Sequence, residues 1–114
     1  MLTIETLREY GANTEEGLER CLNNGAFYLR LVCMSLDDPG FERLAAAIAN
    51  EDRKAAFEAA HALKGSLGNL ALTPLAGPVS ELTELLRAGR DADYPERVEQ
   101  ILLKREQLKA LRDN

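Results

Sequence analysis

The chain has 114 residues, 46% of them hydrophobic, and a formal net charge of −5. This length suits one domain with one core. The acidic balance excludes a surface built for nucleic acid or an anionic membrane, because either would need clustered Lys and Arg. Aromatic residues make up only 5% and tryptophan is absent, whereas Leu and Ala recur throughout. We therefore expect a single all-α domain over residues 1–114 with an aliphatic core.

Targeting and metal-binding signals are missing from the sequence. No apolar stretch approaches the roughly 20 residues that a membrane-spanning helix needs, and the first residues, MLTIETLREYG, do not have the pattern of a secretion signal. We predict a cytoplasmic protein with no membrane contact. Cys21 and Cys33 have neither a CxxC partner nor a histidine at ligand spacing. We interpret them as buried small hydrophobic residues and predict no metal site.

The chain begins with two short predicted helices. Thr3 can cap the first, which ends at Gly11. Asn13 or Thr14 can cap the second, which has acidic residues in its first turn and ends at Asn23-Asn24-Gly25.

A third helix is predicted from Gly25 to Leu36, followed by a fourth segment after a break. The core face of the third is predicted to contain Phe27, Leu31 and Met34. At the break, Asp38 can cap and Pro39 can take the first helical position. The fourth segment carries on one face Phe41, Leu44 and Ile48. It stops near Asn50, which is predicted to cap the next helix.

Three longer helices complete the pattern. The helix at about 51–70 has an apolar seam with alternating spacings of four and three: Ala56, Ala60, Leu63, Leu67 and Leu70. In the next helix, Thr73 is the predicted cap, and Pro78 predicts either a kink or the true start, because proline lacks an amide hydrogen. The last helix begins near Tyr94 and has as its predicted core residues Val98, Ile101, Leu102, Leu108 and Leu111.

These elements predict the architecture. Four long helical segments, at about 25–50, 51–70, 74–89 and 95–112, are joined by short connections. We expect an antiparallel up-and-down four-helix bundle, with a core at about 25–112 and the short N-terminal helices capping one end.

The only histidine of the chain lies in the segment HALKGSLGNLAL, residues 61–72. At about 100° per residue, three residues fall within about 60° of His61: Lys64, Gly65 and Gly68. The centre of this stripe is rotated roughly 130° from the centre of the apolar seam. We therefore predict that the imidazole faces water.

This combination of residues suits phosphoryl chemistry better than folding. The two glycines cost the helix about 1.5 to 2 kcal/mol relative to Ala. A neutral imidazole is a nucleophile toward a phosphoryl group, and a cation one turn away stabilises the anionic product. Glycines beside His61 would let a bulky partner approach the ring. The alternative is that the glycines relieve crowding against a neighbouring helix and that His61 is an ordinary surface residue.

Two further side chains lie within a turn of His61. Phe57 is either an exposed docking contact for a partner or a flank residue tucked against a neighbouring helix, and we favour the first. Glu58 could hydrogen-bond the imidazole or be a solvated charge, and we favour the second.

The string HALKGSLGNL at residues 61–70 resembles the signature of histidine-containing phosphotransfer (HPt) domains of two-component phosphorelays. The likeness extends over roughly residues 15–112. The resemblance implies that His61 is the phosphoaccepting residue, Lys64 the cation beside the phosphoryl group, and Gly65 the position that clears space for a docking receiver domain.

The sequence departs from the family pattern in the corner after the His61 helix. The family commonly has another glycine ten residues after the histidine, where this chain has Ala71. Gly77-Pro78 is also unusual for the following helix.

The leading hypothesis for function is a phosphorelay intermediate in signal transduction. It would accept a phosphoryl group on His61 from an aspartyl-phosphate receiver domain and pass it to another receiver, with Nε2 as the favoured nitrogen. The partners would be response-regulator receiver domains, a hybrid histidine kinase, or both, acting with a monomer. The chain has no Gly-rich phosphate loop and no carboxylate cluster for Mg²⁺, so we predict a phosphocarrier rather than an enzyme, without cofactors and with a partner-supplied metal.

Two alternatives stay open. The chain could be the phosphoaccepting domain of a chemotaxis-type histidine kinase, phosphorylated by an ATP-binding catalytic domain. It could also be a helical adaptor in which His61 is never phosphorylated.

Overall fold

A computed structural model describes residues 1–114 and contains α-helices but no strands. Its helices are, in chain order, α1 (Ile4–Tyr10), α2 (Thr14–Arg20), α3 (Gly25–Leu36), α4 (Gly40–Ala49), α5 (Arg53–Asn69), α6 (Thr73–Arg87) and α7 (Tyr94–Asp113). The predicted all-α fold is confirmed. None of these helices combines the length and the hydropathy that a membrane span requires.

The longer helices pack around one hydrophobic core. Helix α5 packs against α4 and α6, and α7 packs against α4, α6 and α3. The chain does break between α3 and α4, and there the Gly40 amide donates to Asp38 Oδ1 at 2.7 Å. Pro39 is the N-cap of α4 rather than its predicted first helical residue, so the helix begins one residue later, at Gly40.

Two predicted helix caps are present, and those predicted for α4, α5 and α6 are displaced. Thr3 and Asn13 cap α1 and α2, and Gly11 ends α1 with φ +115°. Asn50 does not cap α5: Glu51 turns the chain with φ +56°, and the cap moves to Asp52, whose Oδ1 accepts from the Ala55 amide at 3.1 Å.

Helix α6 starts earlier than the proline pattern predicted. Thr73 is its first residue rather than its cap, and its hydroxyl donates to the Ala71 carbonyl. The helix continues through Pro78 to Arg87, so the predicted start at Pro78 is wrong. A side chain before a helical proline clashes with the ring, and Gly77 has none. A Cβ built at Gly77 meets no atom of another element within 4 Å, so packing against other helices does not require this glycine.

The core face of α3 differs from the prediction by one residue. Tyr28, Val32 and Leu36 are buried, whereas Phe27 is 42% and Met34 63% exposed. Helix α3 is apolar on most of its circumference, so its spacing does not determine which face is buried. Contacts outside α3 fix its rotation: the Tyr28 hydroxyl donates to the Leu70 carbonyl at 2.7 Å, and its ring lies against Gly17 of α2.

Ala71, where the family commonly has glycine, lies at the corner between α5 and α6. This residue has φ +55°, a left-handed conformation that glycine adopts without steric cost and that other residues adopt at a cost of about 1–2 kcal/mol. The N-terminal segment stabilises the corner, because the backbone N–H of Asn13 donates to the Ala71 carbonyl at 2.9 Å.

Burial, with a smaller contribution from Cys21, raises the pKa of Tyr28 to about 12, so its hydroxyl keeps the proton that it donates to the Leu70 carbonyl.

Replacing Gly17 with alanine should destabilise the protein. The new Cβ would lie 2.3 Å from both the Cζ and the hydroxyl oxygen of Tyr28, so the ring must shift. Such overpacking costs about 1–3 kcal/mol of unfolding free energy, measurable by urea denaturation. Gly68→Ala is the matched control, since a Cβ there meets no atom within 4 Å. A Gly17→Ala variant as stable as this control would contradict the prediction.

Candidate functional site

His61 lies in the middle of α5 and is exposed, as predicted. The opposite side of the helix is the predicted seam, and four of its five residues are buried: Ala56, Ala60, Leu63 and Leu67. Leu70 is half-buried. Glu58 is exposed and makes no hydrogen bond to the imidazole, in agreement with a solvated charge. Neither ring nitrogen of His61 is bonded to another residue, so both are available to a reactant.

The imidazole rests on an aromatic ring. The Phe57 and His61 rings are stacked, with centroids 5.6 Å apart and planes 14° from parallel. Phe57 is half-buried and packs against the core, and the Arg87 guanidinium carbon lies 5.1 Å from its ring centroid. Phe57 is therefore less exposed than our favoured interpretation required. It supports the imidazole from below, and a docking role for it stays a prediction.

Lys64 is held by a carboxylate of α6. Its Nζ lies 3.3 Å from Glu84 Oε1, and Arg87 Nε lies 3.3 Å from Glu84 Oε2. The Lys64 side chain is 37% exposed and that of Glu84 54%, and an ion pair this accessible contributes less than about 1 kcal/mol. Lys64 can therefore exchange this partner for a stronger anion. Sequence reasoning found Lys64 from its spacing to His61 but had no signal for Glu84, which comes from another helix.

A shallow depression of about 400 Å³ lies beside the imidazole, and no hydrophobic residue lines it. It is lined by Arg20, His61, Lys64, Gly65, Gly68 and Asn69. Arg20 belongs to α2; its Nη1 donates to the Gly68 carbonyl at 2.6 Å, and it pairs with Glu16. Arg20 could not be predicted from the sequence, because only tertiary packing brings α2 to the end of α5. The depression thus presents two cations and exposed backbone next to His61.

The two glycines serve no packing function within the chain. A Cβ added to Gly65 or to Gly68 would meet no atom within 4 Å. The alternative that they relieve crowding against a neighbouring helix is therefore wrong. Their absent side chains keep the surface beside His61 low.

Other potential chemistry is sparse. No group of three or more His, Cys, Asp or Glu side chains is placed to hold a metal ion. Cys21 and Cys33 are both free thiols; Cys21 is buried, as predicted, and Cys33 is only half-buried.

Together, these features define a helical domain with an exposed imidazole and neighbouring cations on its surface. Comparison with known families gives a specific assignment: the model of the Hpt domain matches residues 28–114, and the chain belongs to this family. Hpt domains are phosphocarrier modules of histidine phosphotransfer in two-component signalling, and they interact with receiver domains and histidine kinases. Searches of curated proteins and of solved structures gave no match. Helices α1 and α2, including Arg20, lie outside the matched residues.

Proposed function

We propose that this domain is a phosphorelay intermediate that accepts a phosphoryl group on His61 from an aspartyl-phosphate receiver domain and passes it to a second receiver. The observation that carries the proposal is the exposed imidazole with two free ring nitrogens, beside a cation and a glycine surface. A receiver must bring its phosphoaspartate within bonding distance of the ring, and open backbone at Gly65 and Gly68 permits that approach.

The transfer step needs little from the domain itself. A lone pair on the ring nitrogen, which we assign to Nε2, forms a bond to phosphorus as the bond between phosphorus and the aspartyl oxygen breaks. The electron pair of the broken bond stays on the aspartate carboxylate, and Nδ1 keeps its proton. Lys64 is the group that stabilises the phosphoryl oxygens, and the partner supplies any metal.

The proposal also includes the architecture, oligomeric state and cellular location of the domain. We infer that residues 1–114 form one monomeric domain in which four segments, α3 with α4, α5, α6 and α7, form an antiparallel up-and-down bundle. Helices α1 and α2 lie against one end of it. The packing of α5 on α4 and α6, and of α7 on α4 and α6, supports this arrangement. We place its partners, receiver domains and histidine kinases, and its action in the cytoplasm.

The proposal is tested by incubating the purified domain with a ³²P-labelled phosphoreceiver and following acid-labile label on the domain. Label that appears and then moves to a second, unlabelled receiver supports a relay intermediate. Labelling by a chemotaxis-type kinase, with no reaction from phosphoreceivers, would instead identify the phosphoaccepting domain of such a kinase. If no donor labels the domain, the adaptor alternative gains support, and loss of partner binding in Phe57→Ala would be its signature.

Arg20 should contribute to receiver docking. Its guanidinium borders the depression, and the phosphoaspartate of an approaching receiver is anionic, so the charge favours encounter. We expect Arg20→Gln to slow transfer from a phosphoreceiver by about three- to tenfold at low salt and by less at high salt. The transfer rate is measured by quenching the labelling reaction at successive times, at two ionic strengths. Arg30→Gln is the control, because Arg30 is exposed on α3 without an ion pair; equal slowing in both variants would contradict a local role for Arg20.

A further inference from the structure

We propose that Glu84 is a positioning residue that holds the Lys64 ammonium on α6 and competes with the incoming phosphoryl group for it. The inference rests on the proposed phosphorylation of His61 and adds a residue of α6 that restrains the reaction. In the unphosphorylated domain, the Lys64 ammonium is paired with the Glu84 carboxylate. The phosphoryl group must displace this carboxylate to pair with Lys64.

The two oxygens of the Glu84 carboxylate engage two different cations. Oε1 lies 3.3 Å from Lys64 Nζ, and Oε2 lies 3.3 Å from Arg87 Nε. Both cations border the nucleophile: Lys64 lines the depression beside His61, and Arg87 lies over Phe57. Glu84 is therefore the carboxylate that links Lys64 to Arg87, two of the cations near the imidazole.

The energetics favour exchange once a phosphoryl group arrives. Both side chains of the Lys64–Glu84 ion pair are exposed to water, so the pair is weak and readily broken. A phosphoryl group on His61 carries more negative charge than one carboxylate and offers three acceptor oxygens to the ammonium. Removing the Glu84 charge should therefore free Lys64 in advance and speed phosphorylation.

The experiment uses potassium phosphoramidate, a small donor that needs no receiver. Nε2 of His61 bonds to phosphorus as the phosphorus–nitrogen bond of the donor breaks and ammonia leaves. Glu84→Gln should form phosphohistidine roughly two- to fivefold faster than the unaltered chain, the size expected for one exposed ion pair. The rate is followed by ³¹P NMR of the intact domain.

Glu81→Gln is the matched control. Glu81 is on the same helix, carries the same charge, and pairs with Arg97 at 3.1 Å, also at the surface. This substitution removes one charge and one ion pair but leaves Lys64 held, so the phosphorylation rate should not change. Equal acceleration by Glu81→Gln and Glu84→Gln would overturn the proposal, because net charge would then explain the effect.

A double variant separates action through Lys64 from direct repulsion of the donor. In a Lys64→Ala background, Glu84→Gln should no longer accelerate the reaction. If acceleration persists there, Glu84 does not act by holding Lys64 and the proposal fails. A failure of the proposed function gives a different result. Phosphoramidate would then label neither the unaltered chain nor any variant, or it would label His61→Gln to the same extent as the unaltered chain.

Discussion

Replacement of His61 by glutamine should abolish phosphoryl uptake and leave the fold intact. Glutamine keeps a polar side chain of similar length but has no basic ring nitrogen to attack phosphorus. The imidazole is exposed and unbonded, and only its stacking on Phe57 is lost, so the unfolding free energy should change by about 0.5 kcal/mol or less. The expected result is complete loss of acid-labile label from a ³²P-phosphoreceiver, with unchanged helical circular dichroism.

Glu58→Gln provides the control for this experiment. Glu58 lies one turn before the imidazole, is exposed and does not bond to the ring, so its loss should leave labelling near the level of the unaltered chain. Label on His61→Gln at that same level would show that another residue accepts the phosphoryl group, and the proposed function would be wrong.

Replacement of Gly65 by alanine should have opposite effects on stability and on transfer. A Cβ at this position meets no atom within 4 Å apart from its chain neighbours and its own helix backbone, so alanine adds helix propensity without a clash. It should stabilise the domain by up to about 1 kcal/mol. The same methyl group stands on the surface that a receiver must approach. A displacement of about 1 Å at the reacting atoms can slow transfer by about a hundredfold, and we expect a loss of tenfold or more.

Two measurements on the same preparation test this pair of effects. Thermal or urea unfolding gives the stability change, and labelling by a phosphoreceiver gives the transfer rate. Ser66→Ala is the control, because the neighbouring residue is exposed on the same helix and its substitution raises helix propensity without adding bulk. A Gly65→Ala variant that is stabilised and still transfers at the rate of Ser66→Ala would show that Gly65 does not clear space for a partner.

The helix carrying His61 could be predicted well because its pattern is unambiguous. Its apolar seam and polar stripe differ clearly in composition, so the buried face and the exposed imidazole followed from spacing alone. The face of α3 was predicted wrongly because that helix is apolar nearly all round, and its rotation depends on Tyr28 meeting Gly17 and Leu70. These partners are distant in the sequence.

The candidate site was also predicted only in part, because partners that are distant in the sequence could not be identified. The residues of α5 that surround His61 were predicted from helical geometry, since they share one element. Glu84, Arg87 and Arg20 were not, because α6 and α2 reach the site only through tertiary packing. The displaced cap of α5 has a local cause: Glu51, in the left-handed conformation, separates Asn50 at the end of α4 from the cap at Asp52, and no propensity rule specified it.

Three carbonyl groups near the end of α5 accept hydrogen bonds from residues that precede position 29 in the chain. Arg20 bonds to the Gly68 carbonyl, Tyr28 to that of Leu70, and Asn13 to that of Ala71. The leading segment thus completes the terminus of the helix that carries His61, and the Arg20 charge suits the negative end of its dipole. Under the proposed function, substitutions in residues 1–28 would therefore reshape the end of α5 beside the docking surface without altering His61 or Lys64.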